Sequence, residues 1–239
     1  FNSKLIHGSV THTINNPNKD SVLILDTKYL SIETVSDQNG KKLLFSYGEK
    51  DELLGDPLLI DINDDTKKVT IAYSTTNKSE ALDWLNAEQT SGKDFPFMYT
   101  QGQSIFTRSW IPVQDSPGLR ITYSAKISVP EGMLPVMSAT NPQIKNNTNV
   151  YSFEMNQPIP PYLIALAVGN LQFKQIDYRT GVYAEPNMLE SCVDEFADMG
   201  KMVSAAEKLY GEYDWERFDV IVLPPSFPFG GMENPKLTF

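Results

Sequence analysis

The sequence predicts a mainly β protein, with antiparallel strands through its first 170 residues and a mixed α and β segment after them. Short apolar runs recur at intervals of about ten residues, the spacing typical of a β-sandwich. Turn residues such as Asn39-Gly40 and Asn63-Asp-Asp65 separate these runs. A helical spacing of apolar residues appears only after Pro186. An antiparallel sheet or sandwich therefore explains the pattern better than alternating strands and helices.

Nine segments before residue 170 have the apolar content or the alternation of strands. They are 10–14, 21–32 (one long strand or a bent pair), 42–47, 57–62, 68–73, 119–129, 134–138, 149–155 and 162–168. The region 84–117 is irregular, and the proline-rich stretch 157–161 cannot pair as a central strand. Gly169-Asn170 ends the last of these runs, so we place a domain boundary there, between 1–170 and 171–239.

The second segment is predicted to begin with a hairpin, 173–178 and 181–184, followed by one long helix over 189–210. Pro186 suits the first helical turn and Gly211 suits a C-terminal cap. A buried strand is expected at 219–223, after which a proline and aromatic loop leads to Gly230.

Composition and charge exclude several classes of function. A net charge of −10 without Lys or Arg clusters argues against nucleic-acid binding. No stretch reaches the roughly 18 apolar residues that span a membrane. Cys192 is the one cysteine, so no disulfide framework or zinc ribbon is expected. We expect a cytoplasmic monomer, although a periplasmic or secreted protein that has lost a leader would have the same composition.

The stretch from Gly230 to Glu233 carries candidate binding residues. Gly230 and Gly231 would let a ligand approach the backbone closely, and a strand through Met232 and Glu233 could pair with an extended peptide. The Glu233 carboxylate could then bind a peptide's α-ammonium group, whose pKa near 8 keeps it mostly charged at neutral pH. A Gly-Gly turn with a solvated glutamate is the alternative interpretation.

For two glutamines and two histidines, a functional role also has to be compared with an ordinary structural one. Gln101 and Gln103 flank a glycine and could contact a ligand, although a solvent-facing turn has the same residue types. His7 and His12 are five residues apart on a predicted strand, so their side chains point to opposite faces and cannot share a metal ion.

Gly231-Met-Glu-Asn234 resembles the G-x-M-E-N motif of zinc aminopeptidases in the aminopeptidase N superfamily. The longer run 223–239 looks like the leukotriene A4 hydrolase branch of that superfamily. Further similar blocks occur, in the same order, at 101–103, 108–117 and 159–169. The resemblance covers most of the chain after Phe95.

The resemblance implies a saddle-like N-terminal β-sandwich domain followed by the α+β start of a thermolysin-like catalytic domain. It implies that Glu233 binds the substrate α-amine and that Gly230, Gly231 and Met232 lie along the substrate backbone. Gln101 and Gln103 would line the pocket for the amine and the first side chain. Phe229, where relatives often carry Tyr, would border that pocket.

The resemblance also implies a Zn²⁺ ion, but this sequence has no H-E-x-x-H motif and contains two histidines. In the family's order that motif follows shortly after Phe239. We therefore expect the zinc ligands beyond Phe239, and an inactive chain without them. The expected parent is a zinc metalloaminopeptidase acting on short peptides with a free N-terminus. Lipid-epoxide hydrolysis in the same site and a non-catalytic β-rich binding module are the alternatives.

Overall fold

A computed structural model of the chain describes residues 1–228 and 230–239 and confirms the mainly β architecture. The contacts between residues divide the chain into two compact units. The first unit comprises Phe1–Leu82, Gln101–Leu119 and Pro160–Tyr162, and the second comprises Asp83–Thr100, Arg120–Ile159 and Leu163–Phe239. The domain boundary near residue 170 stays a prediction.

The first unit contains two antiparallel three-stranded sheets. Their strands are β1 (His7–Thr13), β2 (Val22–Leu25), β3 (Leu30–Asp37), β4 (Phe45–Tyr47), β5 (Leu58–Asp61) and β6 (Lys68–Thr75). One sheet has the order β1-β6-β3 and the other β2-β5-β4. The predicted segment 21–32 is thus a pair of strands, β2 and β3, that belong to different sheets. The shared apolar core consists of Leu25, Val35, Leu58, Ile60, Ile62, Val69, Ile71 and Tyr73.

The second unit contains three sheets and both α-helices. Its strands are β7 (Leu82–Leu85), β8 (Phe97–Thr100), β9 (Ile121–Ser128), β10 (Leu134–Met137), β11 (Val150–Ile159), β12 (Leu166–Gly169), β13 (Gln172–Gln175), β14 (Thr180–Ala184), β15 (Phe218–Ile221) and β16 (Leu237–Thr238). The sheet orders are β10-β12-β8-β7, β11-β9 and β13-β14-β15-β16. In the last sheet β13 and β14 are antiparallel, whereas β14, β15 and β16 are parallel.

The predicted hairpin and the buried strand near 219–223 are confirmed as β13, β14 and β15. The predicted single long helix is wrong, because it is divided into α1 (Leu189–Glu195) and α2 (Met199–Tyr210). A tertiary contact lies close to the division. A Cβ atom on Gly200 would lie 1.8 Å from Asp177 Oδ2, so the first turn of α2 rests directly against the turn between β13 and β14. Periodicity does not detect that contact.

Three strands and the extension of a fourth were not predicted from the sequence. β7 and β8 fall in or next to the region that was predicted to be irregular. In β8 the side chains of Phe97–Thr100 are all buried, so the sequence shows no alternation of apolar and polar residues there. β16 has two residues, too few for a periodic signal. β11 runs through Pro158 to Ile159, with a register shift after Met155, which a two-stranded sheet tolerates.

Three short 3₁₀ turns complete the chain, at Ala87–Gln89, Thr107–Ser109 and Pro161–Leu163. Among the described residues, no helix has the length and apolar character needed to cross a membrane.

Candidate functional site

The last eight residues form a closed loop at the edge of the β13-β14-β15-β16 sheet. The Met232 N–H donates to the Phe239 carbonyl oxygen at 2.8 Å, and the Phe239 N–H donates to the Met232 carbonyl oxygen at 3.0 Å. The expected strand through Met232 and Glu233 is therefore wrong: Phe239 occupies both backbone hydrogen-bonding groups of Met232. Within this loop, it is β16 that pairs with β15, with Leu237 opposite Asp219.

Glu233 differs from its neighbours in exposure. Of residues 232–237, Glu233 is exposed and the other five are buried. Its carboxylate makes no hydrogen bond or ion pair with any residue in 1–228 or 230–239. Lys236, three residues further on, instead donates through Nζ to Glu216 Oε2 at 2.7 Å. The loop thus holds one carboxylate toward solvent on an anchored backbone.

Backbone hydrogen bonds and one close approach hold this loop in shape. The Asn234 N–H donates to the Met232 carbonyl at 2.9 Å, and the Asn234 carbonyl accepts from the Leu237 N–H at 3.3 Å. A Cβ atom on Gly231 would come within 3.3 Å of the Phe239 carbonyl oxygen. A Cβ atom on Gly230 would have no described residue within 4 Å apart from its chain neighbours, which leaves room there for an approaching ligand.

The segment before Gly230 is anchored at both ends of its described part. The Val222 N–H extends the sheet by donating to the Tyr183 carbonyl at 2.9 Å, and the Phe227 N–H closes a turn on the Pro224 carbonyl at 3.0 Å. The Phe227 ring meets the ring of Tyr99 edge-on, with 5.2 Å between centroids. Phe229, predicted at the first side-chain pocket, lies outside the described residues.

Gln101 and Gln103 lie together in a turn of the first unit. The Gln101 N–H donates to the Ala81 carbonyl at 2.8 Å, and its side-chain Oε1 accepts from the Gln103 N–H at 3.0 Å. Gln101 is buried and Gln103 is exposed. Gly102 is required between them, since a Cβ atom there would lie 2.7 Å from the Tyr162 carbonyl oxygen. The turn therefore packs directly on the 3₁₀ segment that begins at Pro161.

A buried arginine supports the segment that follows this turn. Arg108 donates from Nε to Asp115 Oδ2 at 3.3 Å and from Nη2 to the Asp115 carbonyl at 2.8 Å. Its Nη1 donates to the Leu54 carbonyl at 2.7 Å. Burial raises the pKa of Asp115, and its bonds to Arg108 oppose that rise. Arg108 thus connects the two ends of the 108–115 segment and joins it to Leu54.

No group of three His, Cys, Asp or Glu side chains within residues 1–228 and 230–239 is arranged to hold a metal ion. His7 and His12 lie on one strand, β1, on opposite faces as predicted. His12 Nε2 donates to the Pro112 carbonyl at 2.8 Å, and burial lowers the pKa of its ring. The residues present therefore do not fit a zinc site.

The structure places the predicted site residues in two groups. Gly230, Gly231, Met232 and Glu233 are consecutive in the second unit, and Gln101 and Gln103 share one turn of the first. Sequence reasoning missed Tyr99, whose ring contacts Phe227. Its signal was the aromatic run 95–99, which was read as irregular.

Comparison with known proteins adds a family and several relatives. Residues 1–163 match the model of the Peptidase M1 N-terminal domain. The chain is 43% identical over 251 aligned residues to a leukotriene A-4 hydrolase from Xenopus laevis, covering 100% of this chain and 41% of that protein. It is 44% identical over 237 residues to leucine aminopeptidase 2 from Yarrowia lipolytica, covering 97% of this chain and 36% of that protein. The chain thus spans less than half the length of these relatives.

Solved structures agree with this placement. Native leukotriene A4 hydrolase from Saccharomyces cerevisiae superposes with a TM-score of 0.89 at 38% identity, covering 98% of this chain and 37% of that one. An M1 zinc metallopeptidase from Deinococcus radiodurans superposes with a TM-score of 0.75 at 18% identity, covering 98% of this chain and 55% of that one. The second likeness bears on the fold alone.

Proposed function

Because this chain belongs to the M1 peptidase family, we propose that its parent protein is a zinc-dependent aminopeptidase that releases N-terminal residues from short peptides. One observation carries the proposal for this chain. Glu233 is the exposed, unpaired carboxylate of a loop whose neighbouring residues 232 and 234–237 are buried. A carboxylate held in this way is suited to bind a cation.

Glu233 would bind the α-ammonium group of the substrate. That group is mostly charged at neutral pH, since its pKa is near 8, and a charge-assisted hydrogen bond to a carboxylate is stronger than a neutral one. A peptide with a blocked N-terminus has no such cation. The same carboxylate would therefore select free N-termini and set which peptide bond is presented for cleavage.

The other predicted residues would shape the rest of the amino-terminal site. Open space beside Gly230 lets a substrate backbone approach, and Met232 anchors the glutamate through its two bonds to Phe239. Gln101 Oε1 accepts one hydrogen bond and retains a lone pair, which an α-ammonium group could use. Gln103 would add a polar contact and Phe229 an apolar wall for the first side chain.

We place the metal in the part of the parent protein that follows Phe239. The support is that the described residues lack a cluster of ligands and that the relatives are more than twice as long. Zinc in such enzymes polarises the scissile carbonyl and activates water. This chain would contribute substrate positioning, and without the metal-binding part we expect it to be inactive.

The test compares variants of Glu233 in the parent protein. Glu233→Ala and Glu233→Gln should raise KM and lower kcat, reducing kcat/KM for a free tripeptide by about 10- to 100-fold. Both parameters change because a lost amine contact also misplaces the scissile bond. Glu195→Gln, which alters an exposed carboxylate on α1, is the matched control.

The N-acetylated form of the same tripeptide supplies the second arm. It should be a poor substrate for the unaltered enzyme, and Glu233→Gln should change its turnover little. Unchanged kinetics for the free tripeptide in both Glu233 variants would overturn the assignment of this residue.

Lipid-epoxide hydrolysis remains a second candidate because a relative at 43% identity is named for leukotriene A-4 hydrolysis. Direct assay of epoxide turnover by the parent protein separates the two activities. A parent protein that turns over neither peptides nor epoxides would leave the β-rich binding module as the better description.

A further inference from the structure

Tyr99 is a buried tyrosine in the middle of a sheet. The side chain is 2% exposed, and in the sheet its Cα lies opposite Ala167 of β12. The charge of the Asp83 carboxylate on β7 acts on this tyrosine's hydroxyl. Burial, followed by the charge of Asp83, raises the pKa of Tyr99 to about 12, so the hydroxyl stays protonated at neutral pH. The ring is therefore enclosed by the core of the second unit.

The ring of Tyr99 supports the loop that precedes the glycines. Phe227 meets it edge-on, with 5.2 Å between centroids and 77° between planes, a favourable geometry for an aromatic pair. Phe227 lies three residues before Gly230, and Pro228 between them restricts the backbone. The position of the Phe227 ring therefore bears on where the chain reaches Gly230.

We propose that Tyr99 is a positioning residue that holds the 224–228 loop, through Phe227, so that Gly230 to Glu233 are presented to the amino end of a substrate. The expected effect on KM rests on the proposed function, whereas the expected effect on the order of the loop does not.

Hydrogen exchange on the 239-residue chain tests the structural consequence without reference to activity. Phe227→Leu and Tyr99→Leu remove the aromatic pair, and we expect faster amide exchange in 227–233, including the Phe227 amide that bonds to Pro224. Tyr99→Phe keeps the ring and should change that exchange less. Tyr123→Phe is the matched control, since the Tyr123 hydroxyl donates to the Ser138 carbonyl at 2.7 Å and Tyr123 belongs to β9, in a different sheet from β8.

Phe227→Leu is the more informative variant, because Phe227 is half-buried and its replacement is less disruptive to folding than that of Tyr99, which lies in the core. If exchange in 227–233 is unchanged in Phe227→Leu, or rises equally throughout the chain, the positioning role is wrong. A rise confined to 227–233 supports it.

Steady-state kinetics of the parent protein test the functional consequence. Phe227→Leu should raise KM for a free tripeptide by about three- to tenfold, with a smaller change in kcat. If Glu233→Ala is damaging and Phe227→Leu is silent, the positioning role fails while the proposed function stands. If exchange responds to Phe227→Leu but Glu233→Ala is silent, the proposed function fails while the positioning role stands.

Discussion

At the scale of single residues, Glu207 shows how one ion pair joins two elements of the second unit. Its carboxylate accepts hydrogen bonds from Arg179 Nη1 at 2.7 Å and Nη2 at 2.6 Å, and from the Tyr213 N–H at 3.1 Å. Arg179 lies in the turn between β13 and β14, so the pair fastens that turn to α2. The bonds from Arg179, followed by that from Tyr213, lower the pKa of Glu207 to about 2.

This lowered pKa predicts a window of acid sensitivity. The folded-state pKa is below the ordinary value of 4.5, so the pair stabilises the fold above pH 4.5 and the contribution is lost as the pH falls toward 2. Glu207→Gln should therefore lower Tm at neutral pH and leave Tm nearly unchanged close to pH 2. Thermal unfolding followed by circular dichroism across this range measures the effect, with Glu195→Gln as the control. An equal loss of Tm at every pH would contradict it.

At the scale of secondary-structure elements, α2 is placed by contact and not by helix propensity. Gly200 lies in its first turn, where Ala would normally be favoured by about 1 kcal/mol. The Asp177 carboxylate occupies the position that a Cβ atom would need. Its Oδ1 also accepts bonds from the Arg179 and Thr180 N–H groups at 2.9 and 2.8 Å, so it is not free to withdraw.

These two effects decide whether Gly200→Ala raises or lowers the free energy of unfolding. Overpacking of a fixed neighbour costs about 1–3 kcal/mol, which exceeds the gain in helix propensity. We expect Gly200→Ala to lower the free energy of unfolding by about 1–2 kcal/mol in urea titrations. Ser191→Ala, at an exposed position of α1, should be neutral or stabilising. A stabilised Gly200→Ala variant would show that the turn at Asp177 yields freely.

At the scale of the whole molecule, charge is the property that bears on association. The net charge is −10 at neutral pH, which favours separate molecules by mutual repulsion. The monomer remains a prediction. Light scattering on the 239-residue chain should give a mass near 26.8 kDa at low and at moderate salt. A mass that increases with protein concentration would contradict the monomer and would direct attention to exposed apolar side chains such as Leu209 and Tyr210.

Sequence reasoning predicted the site more fully than its geometry. The consecutive residues Gly230 to Glu233 and the turn at Gln101 and Gln103 were identified from residue types and family resemblance. The backbone state of Met232 was predicted wrongly, because its partner Phe239 lies seven residues further on and leaves no local signal. Tyr99 was missed for the same reason: its contact with Phe227 spans 128 positions of the chain.

The sequence by itself determined the mainly β class, most strands of both units and the family, and it singled out Glu233 as the candidate for binding an amine. These follow from local periodicity, turn chemistry and a contiguous motif, all of which depend on residues that are close together in the sequence. Tertiary structure alone decided where the helical segment divides, how β14, β15 and β16 pair in parallel, and that Glu233 faces solvent from a closed loop. Each of those depends on contacts between distant residues, whose energies no local pattern of residue types records.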